Sequence, residues 1–272
     1  MDPNVWLTSA QSPTTTEEFA AMRNIPYHEA IGSLMYAMLG TRLDICFAIQ
    51  TVSRFNNSPG LPHWEAVKWI FRYLIGMKDL WLGYGGQKRE LIGYADADGS
   101  MAEDRKAVSG YVFIVNGGAI SWSAKWQAII SLSTTESEYV AATYAAKETL
   151  WLRSLISQLF GMTLNATTLC FDNQSAIACT KHIDIRFHFI HWIIEDGKLC
   201  LIYCPTKEMV ADMFTKVLPS TKVKHFAREL SLIMCWGGVL ERGHPQVCAS
   251  APNYNTCEMR ASMWYREHTS LL

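Results

Sequence analysis

Four acidic residues that are far apart in the chain each occupy a place from which a carboxylate can reach a common point: Asp96, Glu138, Asp172 and Asp212. Asp96 and Asp172 each follow a run of residues typical of a β-strand, while Glu138 and Asp212 fall early in predicted helices. Crowded carboxylates repel one another, so a fold that gathers four of them normally does so around a divalent cation. The pattern predicts a two-metal nuclease site, and four unrelated surface acids are the alternative that spacing alone leaves open.

The strands that precede Asp96 and Asp172 are predicted at residues 91–95 and 168–171. Both runs combine aliphatic, aromatic or β-branched residues and contain no charge. In an α/β sheet the carboxyl ends of the strands lie at one edge, where ligands commonly bind. We therefore expect these two carboxylates to emerge side by side.

The helix that carries Glu138 has the clearest boundaries in the sequence. Residues 133–136 form a capping box, and Gly161 follows the last residue of a long run without Gly or Pro. Three small residues share the face of Glu138, so that the helix can lie close to a sheet: Ala141, Ala142 and Ala145. This arrangement favours a position for Glu138 near the strand ends over a solvent-exposed one.

The remaining elements predict an α/β fold, namely a mixed five-stranded sheet flanked by helices and preceded by a small helical segment. A hairpin around Asn116-Gly117 belongs to three antiparallel strands, and helix, strand, helix, strand and helix follow. We divide the chain into a flexible lead at 1–25, a helical segment at 26–79, the sheet domain at 80–218 and a largely irregular tail at 219–272. A short helix carrying Asp212 is expected at 207–216.

Composition restricts the classes of function. Of the 272 residues 49 % are hydrophobic, which suffices for a substantial core, and the net charge of −1 argues against nucleic-acid binding through a bulk positive field. Neither a signal peptide nor an apolar run of roughly 18 residues is visible, so we expect no membrane partner.

The eight cysteines indicate free thiols in a reducing compartment. Cys200 and Cys204 follow His188 and His191, so a zinc site is an alternative to two buried thiols on one strand face.

Several strings in one order resemble the ribonuclease H domain of copia-type retrotransposon Pol polyproteins. They read LIGYADAD, SGYVFIVNGGAISWSAKWQ, LSTTESEYVAA, CFDNQSAIA, KHIDIRFHFI and ADMFTK. Upstream, IPYHEAIGSLMYAM, TRLDICFAI and HWEAVKWIFRYLIG resemble the segment that connects reverse transcriptase to that domain. The similarity covers roughly residues 12–232.

The resemblance implies that Asp96, Glu138, Asp172 and Asp212 are catalytic ligands of two Mg²⁺ ions, with Mn²⁺ able to substitute. The substrate would be an RNA–DNA hybrid, whose RNA strand is hydrolysed during reverse transcription. The polymerase portion of the same polyprotein would be a partner. Such elements act in cytoplasmic particles and in the nucleus.

Five further residues are predicted substrate contacts: Asn173, Gln174, Ser175, Arg105 and Lys125. The first three open the helix after Asp172, where ordinary N-capping is the alternative, and the two basic residues lie in or near strand loops. The sequence also departs from the family, because roughly nine residues are missing before Lys181, and a shorter connection can misplace Asp212. An inactive remnant of the element and a non-catalytic nucleic-acid-binding module therefore stand beside the ribonuclease hypothesis.

Overall fold

The computed structural model of the protein describes residues 6–85, 90–99, 106–161, 163–173, 185–236 and 239–240. These residues form two compact units. One consists of residues 6–81 together with 234–236 and 239–240, and the other of the described residues between 82 and 233. Among the helices of these ranges, none is both long and apolar enough to cross a membrane.

The first unit is helical. Its α-helices are α1 Thr16–Met22, α2 Tyr27–Gly40, α3 Cys46–Ser53 and α4 Leu61–Gly76, and it also has short 3-10 helices at Ser9–Gln11 and Leu43–Ile45. The core is formed by apolar faces of α2, α3 and α4, and the hydroxyl of Tyr27 donates to the carbonyl of Val52 at 2.7 Å. Helices α2 to α4 lie within the stretch 26–79.

Helix α1 lies inside the stretch that the sequence predicts to be a flexible lead. It buries no residue, so no apolar period marks it. Its first turn is fixed by Thr15, whose side chain accepts a hydrogen bond from the backbone N–H of Glu18, while the Glu18 carboxylate accepts from the N–H of Thr15. This reciprocal capping satisfies donors that a helix start otherwise leaves unpaired.

The second unit contains the predicted mixed five-stranded sheet. The strands of this sheet are β2 Ile92–Asp98, β3 Val108–Val115, β4 Gly118–Trp126, β5 Thr167–Phe171 and β6 Leu199–Tyr203, and β1 Leu80–Leu82, which precedes them in the chain, is not part of it. They lie in the order β4-β3-β2-β5-β6, with β2 to β4 antiparallel and β5 and β6 parallel to β2. Helices α5 Thr134–Phe160 and α6 Ile185–Glu195 supply the flanking layer, so the predicted fold class is confirmed.

Local sequence accounts for the boundaries of β3, β4 and α5. The β3–β4 turn has Asn116 at φ 54° and Gly117 at φ 82°, as a two-residue hairpin turn requires. Ser133 caps α5 by accepting a hydrogen bond from the N–H of Glu136 at 3.1 Å. Gly161 ends the helix with φ 61°, a conformation that glycine adopts without steric cost.

The two faces of the sheet pack against different parts of the chain. One face packs against α5 and α6 in a core that includes Phe113, Leu169 and Ile193. On the other face, Cys170 and residues of the segment after β6, among them Met209 and Ala211, form a smaller buried cluster. This second cluster holds the Asp212 segment against the sheet.

Two stretches differ from the sequence prediction. The helix predicted at 207–216 is a 3-10 helix at Val210–Phe214, and the predicted irregular tail contains α7 Ser220–Glu229, β7 Leu232–Trp236 and β8 Val239–Leu240. Helix α7 buries only Phe226 and Ala227, so its apolar period is too short to be visible in the sequence. Residues 241–272 lie outside the described ranges.

Candidate metal centre

The register of β2 and β5 places Asp96 and Asp172 side by side. The last paired residues of these parallel strands are Tyr94 and Cys170, and each aspartate lies two positions further along its own strand direction. Because side chains alternate across a strand, both carboxylates project from the same face at the same edge. Asp96 is fully buried, and Asp172 is half-buried.

Asp212 reaches the same edge because the 3-10 helix at Val210–Phe214 approaches the sheet closely. Gly110 of β3 lies directly opposite Asp96, and a Cβ atom at Gly110 would be 2.7 Å from the side chains of Phe214 and Thr215. The absence of a side chain therefore permits the contact. Carboxylate oxygens of Asp96, Asp172 and Asp212 lie within 4.8 Å of one another. The shortened connection before Lys181 does not keep Asp212 from the cluster.

Glu138 lies beside this triad, in the second turn of α5. The residue is 6 % exposed, the backbone N–H of Ala97 donates to the carboxylate, and Oε2 is buried without a hydrogen-bond partner among the described residues. Burial, together with the nearby charges of Asp96 and Asp172, raises the pKa of Glu138 to about 9. Burial likewise raises the pKa of Asp96 to about 6. Both shifts arise first from the cost of a buried negative charge and second from the neighbouring carboxylates.

Two lysines supply positive charge to the aspartates. Nζ of Lys216 lies 2.7 Å from Oδ1 of Asp212 and 3.3 Å from Oδ1 of Asp96, while Nζ of Lys222 lies 2.7 Å from Oδ2 of Asp212. Burial lowers the pKa of Lys216, but the carboxylates of Asp96 and Asp212 outweigh burial and raise it above the ordinary value. Lys216 is therefore an ammonium ion in this site.

Two threonine hydroxyls complete the hydrogen bonds of the acids. The hydroxyl of Thr215 donates to Oδ2 of Asp96, and that of Thr206 donates to Oδ2 of Asp172 at 3.0 Å. Both oxygens are thereby oriented, which leaves the Oε2 atom of Glu138 as the buried carboxylate oxygen that lacks a partner within the described residues. The site thus offers oxygen ligands, the type that hard divalent cations such as Mg²⁺ prefer.

Comparison with known proteins identifies the family. No protein-family model matches the chain. It is 47 % identical over 228 residues to the retrovirus-related Pol polyprotein from transposon TNT 1-94 of Nicotiana tabacum, which covers 79 % of this chain and 17 % of that protein. It is 32 % identical over 230 residues to the corresponding polyprotein from transposon RE2 of Arabidopsis thaliana, which covers 79 % of this chain and 16 % of that protein. The chain belongs to the Pol polyproteins of copia-type transposons.

This Pol chain spans about a sixth of the length of these two relatives. A stretch of 133 residues is also 41 % identical to secreted RxLR effector protein 161 of Plasmopara viticola, which covers 48 % of this chain and 94 % of that protein. Among solved structures, LC11-RNase H1 from compost is similar with a TM-score of 0.36 and 19 % identity, over 47 % of this chain and 93 % of that one. The N-terminal RNase H domain of rv2228c from Mycobacterium tuberculosis has a TM-score of 0.35 and 12 % identity, over 52 % and 98 % of the respective chains.

The structure of the Pol chain describes only part of the predicted substrate contacts. Asn173 is half-buried next to Asp172, while Gln174, Ser175 and Arg105 lie outside the described residues. Lys125 is exposed on β4, with its Nζ 5.7 Å from the centre of the Tyr144 ring, and it lines a cavity of about 310 Å³ between β3, β4 and α5.

The alternative zinc site of the Pol chain does not form among the described residues. Cys200 is exposed and Cys204 is buried. In the part of the chain that the structure describes, the triad of aspartates is the group whose ligand atoms come together. The Cys204 thiol packs in the small core with Cys170 instead, and burial raises its pKa.

Sequence reasoning did not assign the groups that surround the acids. Lys216 and Thr215 were within the ADMFTK string, and Lys216 follows Asp212 by four positions, a spacing at which charged side chains can pair. Lys222 and Thr206 carried no such signal, because their contacts depend on how the segment after β6 folds back.

Proposed function

We propose that this Pol chain carries a metal-dependent ribonuclease H activity, which hydrolyses the RNA strand of RNA–DNA hybrids during reverse transcription of a copia-type element. The observation that carries the proposal is the convergence of Asp96, Asp172 and Asp212 within 4.8 Å at one sheet edge, beside the buried carboxyl of Glu138. Membership in the Pol family supports it.

The residues present fit divalent metal ions. The donor set consists of carboxylate oxygens, which suit Mg²⁺ and Mn²⁺, and the buried Oε2 of Glu138 lacks a hydrogen-bond partner among the described residues. We expect Asp96, Glu138, Asp172 and Asp212 to hold two such ions. When bound, such a pair activates a water for attack on phosphate and stabilises the leaving oxygen.

The chain's own residues orient the ligand atoms. Thr206 and Thr215 fix one oxygen of Asp172 and one of Asp96 by hydrogen bonds. Short side chains on α5 keep Glu138 close to β2, since Ala141 and Ala145 are almost fully buried there. Carboxylate ligands that are already held in place favour catalysis, because little reorganisation is then needed when substrate binds.

Substrate recognition is proposed to involve Asn173, Gln174, Ser175, Arg105 and Lys125. Amide and hydroxyl groups next to Asp172 suit phosphate or the 2′-hydroxyl of RNA, which a DNA strand does not offer. The polymerase portion of the same polyprotein is the proposed protein partner. We propose cytoplasmic element particles and the nucleus as the places of action.

Cleavage of a labelled RNA–DNA hybrid by the purified chain tests the proposal. We expect hydrolysis in Mg²⁺ or Mn²⁺, none in EDTA, none of a DNA duplex, and a loss of cleavage in Asp172→Asn. This variant keeps the shape of the side chain but removes its charge. Cleavage that persists in EDTA or in Asp172→Asn would contradict the assignment.

A second candidate, a non-catalytic nucleic-acid-binding module, is favoured by Lys216 and Lys222, because their ion pairs neutralise the acids without metal. This candidate predicts hybrid binding with a steep salt dependence that survives when the four acids are replaced by their amides. The ribonuclease proposal predicts that binding in the presence of metal weakens in the same variant.

A further inference from the structure

Lys216 occupies a position between the two most deeply buried aspartates of the candidate metal centre. Its Nζ lies 2.7 Å from Oδ1 of Asp212, 3.3 Å from Oδ1 of Asp96 and 3.2 Å from Oδ2 of Asp96. The side chains of Asp96 and Asp212 are each 1 % exposed, and that of Lys216 is 29 % exposed. A single ammonium group thus bridges two carboxylates that hardly contact water.

All four oxygens of these two aspartates already have a partner. Lys216 contacts Oδ1 of both residues, Thr215 donates to Oδ2 of Asp96, and Lys222 contacts Oδ2 of Asp212. A carboxylate oxygen can accept a hydrogen bond and still bind a metal ion, but a cation that is to lie between both aspartates must compete with the charged group that is already there. Lys216 is the side chain that contacts both carboxylates.

The ammonium group and a divalent ion cannot share this position. A bound Mg²⁺ lies about 2.1 Å from its oxygen ligands, and an ammonium at hydrogen-bond distance from the same oxygens would be strongly repelled by it. Conversely, without any cation the paired carboxylates would be buried next to each other, which is costly. Lys216 can therefore stabilise the metal-free site while it opposes metal binding.

We propose that Lys216 is an internal counterion that occupies a cation position between Asp96 and Asp212 in the metal-free protein and must leave it when a divalent ion binds. This inference rests on the proposed metal-dependent function. Lys216 is then a residue that sets the metal affinity and keeps the site folded at low metal concentration. It is distinct from the metal ligands themselves.

Lys222 provides a matched control. It also contacts Asp212, at 2.7 Å from Oδ2, its side chain is 32 % exposed, and its Nζ lies 5.1 Å from the centre of the Phe226 ring. It does not bridge to Asp96 in any contact of the structure's described residues. Replacing either lysine with methionine removes one positive charge near the same carboxylate, but only Lys216→Met vacates the bridging position.

The experiment measures Mn²⁺ and Mg²⁺ binding by calorimetry, together with the thermal midpoint in EDTA, for the wild type, Lys216→Met, Lys222→Met and Asp172→Asn. We expect Lys216→Met to bind Mn²⁺ about tenfold more tightly or better, equivalent to about 1.4 kcal/mol. Its midpoint in EDTA should fall, and saturating Mn²⁺ should restore it. Lys222→Met should change the Mn²⁺ affinity by less than about threefold.

Several results would overturn the proposal. One is a Lys216→Met affinity equal to or weaker than that of the wild type, and another is an equal gain in Lys222→Met, which would indicate a general charge effect. A failure of every variant to bind metal would also overturn it, since removal of Lys216 would then free no cation position. If Lys216→Met does not fold in EDTA, Lys216→Gln, which keeps a hydrogen-bond donor without the charge, is subject to the same comparison.

The Asp172→Asn variant separates this inference from the proposed function. Asp172 does not contact Lys216 in any described hydrogen bond or ion pair, and its loss should weaken Mn²⁺ binding if the triad holds the metal. Unchanged binding in Asp172→Asn would contradict the proposed metal site. The ratio of affinities between Lys216→Met and Lys222→Met tests the counterion role alone.

Discussion

Substitution of Gly110 by alanine should disable the site while the fold persists. Gly110 lies on β3 opposite Asp96, and the segment that carries Asp212 rests directly on it. A Cβ atom at this position would be 2.7 Å from Cβ of Phe214 and from Cγ2 of Thr215, and 3.3 Å from the backbone carbonyl carbon of Phe214. Because backbone is involved, rotation of a side chain cannot relieve the clash.

The size of the effect follows from these distances. Carbon atoms in contact are normally ~3.5–4.0 Å apart, so the 3-10 helix must withdraw from the sheet by about 1 Å. Overpacking of this kind costs about 1–3 kcal/mol of stability. A displacement of about 1 Å at a catalytic group can cost ~10²-fold in rate. We therefore expect a modest loss of stability and a loss of hybrid cleavage of at least about 10²-fold.

Gly93→Ala is the matched control on the same sheet. A Cβ atom there would be 2.5 Å from Cε1 of Phe113 and 2.7 Å from Cδ1 of Leu169, which belong to the core beneath α5. The stability cost should be similar, but Asp96, Asp172 and Asp212 keep their places. Urea unfolding, Mn²⁺ binding and hybrid cleavage are measured for both variants.

Two outcomes would contradict the role of Gly110 in positioning Asp212. If Gly110→Ala folds and binds Mn²⁺ as tightly as the wild type does, the close approach at Gly110 is not what positions Asp212. An equal loss of Mn²⁺ affinity in Gly93→Ala would show that general destabilisation, and not displacement of the Asp212 segment, weakens the site.

Two further predictions concern pH and the helical unit. The pKa of Glu138 is about 9 in the folded protein against an ordinary 4.5, so the folded metal-free state holds this proton more tightly. The protonated Glu138 therefore contributes fully to the free energy of unfolding below about pH 4.5, and this contribution is lost as the pH rises to about 9. Urea unfolding in EDTA should show this decline of stability with pH, and the decline should be smaller in Glu138→Gln. A wild-type curve as flat as that of Glu138→Gln would contradict the pKa shift. In the helical unit, Arg42 donates to both oxygens of Asp44, whose side chain is fully buried, so Arg42→Met should cost about 3–5 kcal/mol in urea unfolding. The double variant Arg42→Met/Asp44→Leu should regain most of the lost stability. A single variant as stable as the wild type would show that the buried ion pair does not stabilise the fold.

The parts of the fold that local sequence encodes could be predicted. The Asn116-Gly117 turn, the Ser133 cap and the Gly161 stop depend on neighbouring residues alone, and the structure shows all three. The nearness of Asp96 and Asp172 also follows from the rule that parallel strands share an edge, although β2 continues to Asp98, beyond the strand predicted at 91–95, so that only Asp172 follows the end of its strand.

The position of Asp212 and its surroundings could not be predicted in the same way. Asp212 lies in a 3-10 helix whose place depends on the packing of Met209 and Phe214 against the far face of the sheet. The ion pairs of Lys216 and Lys222 depend in turn on that packing and on helix α7. The four-residue spacing of Asp212 and Lys216 is a local signal, but the contact of Lys216 with Asp96 joins residues far apart in the chain, and no local period or spacing predicts it.

The most direct test of the account is the rate at which the chain hydrolyses the RNA strand of a labelled RNA–DNA hybrid in Mg²⁺, measured for the wild type and for Asp212→Asn under single-turnover conditions. We expect the wild type to cleave the RNA strand to products with 3′-hydroxyl and 5′-phosphate ends. We expect a rate lower by at least about 10²-fold in Asp212→Asn, because one charged ligand of the centre is lost. Equal rates for the two proteins, or no cleavage by a folded wild type that binds metal, would contradict it.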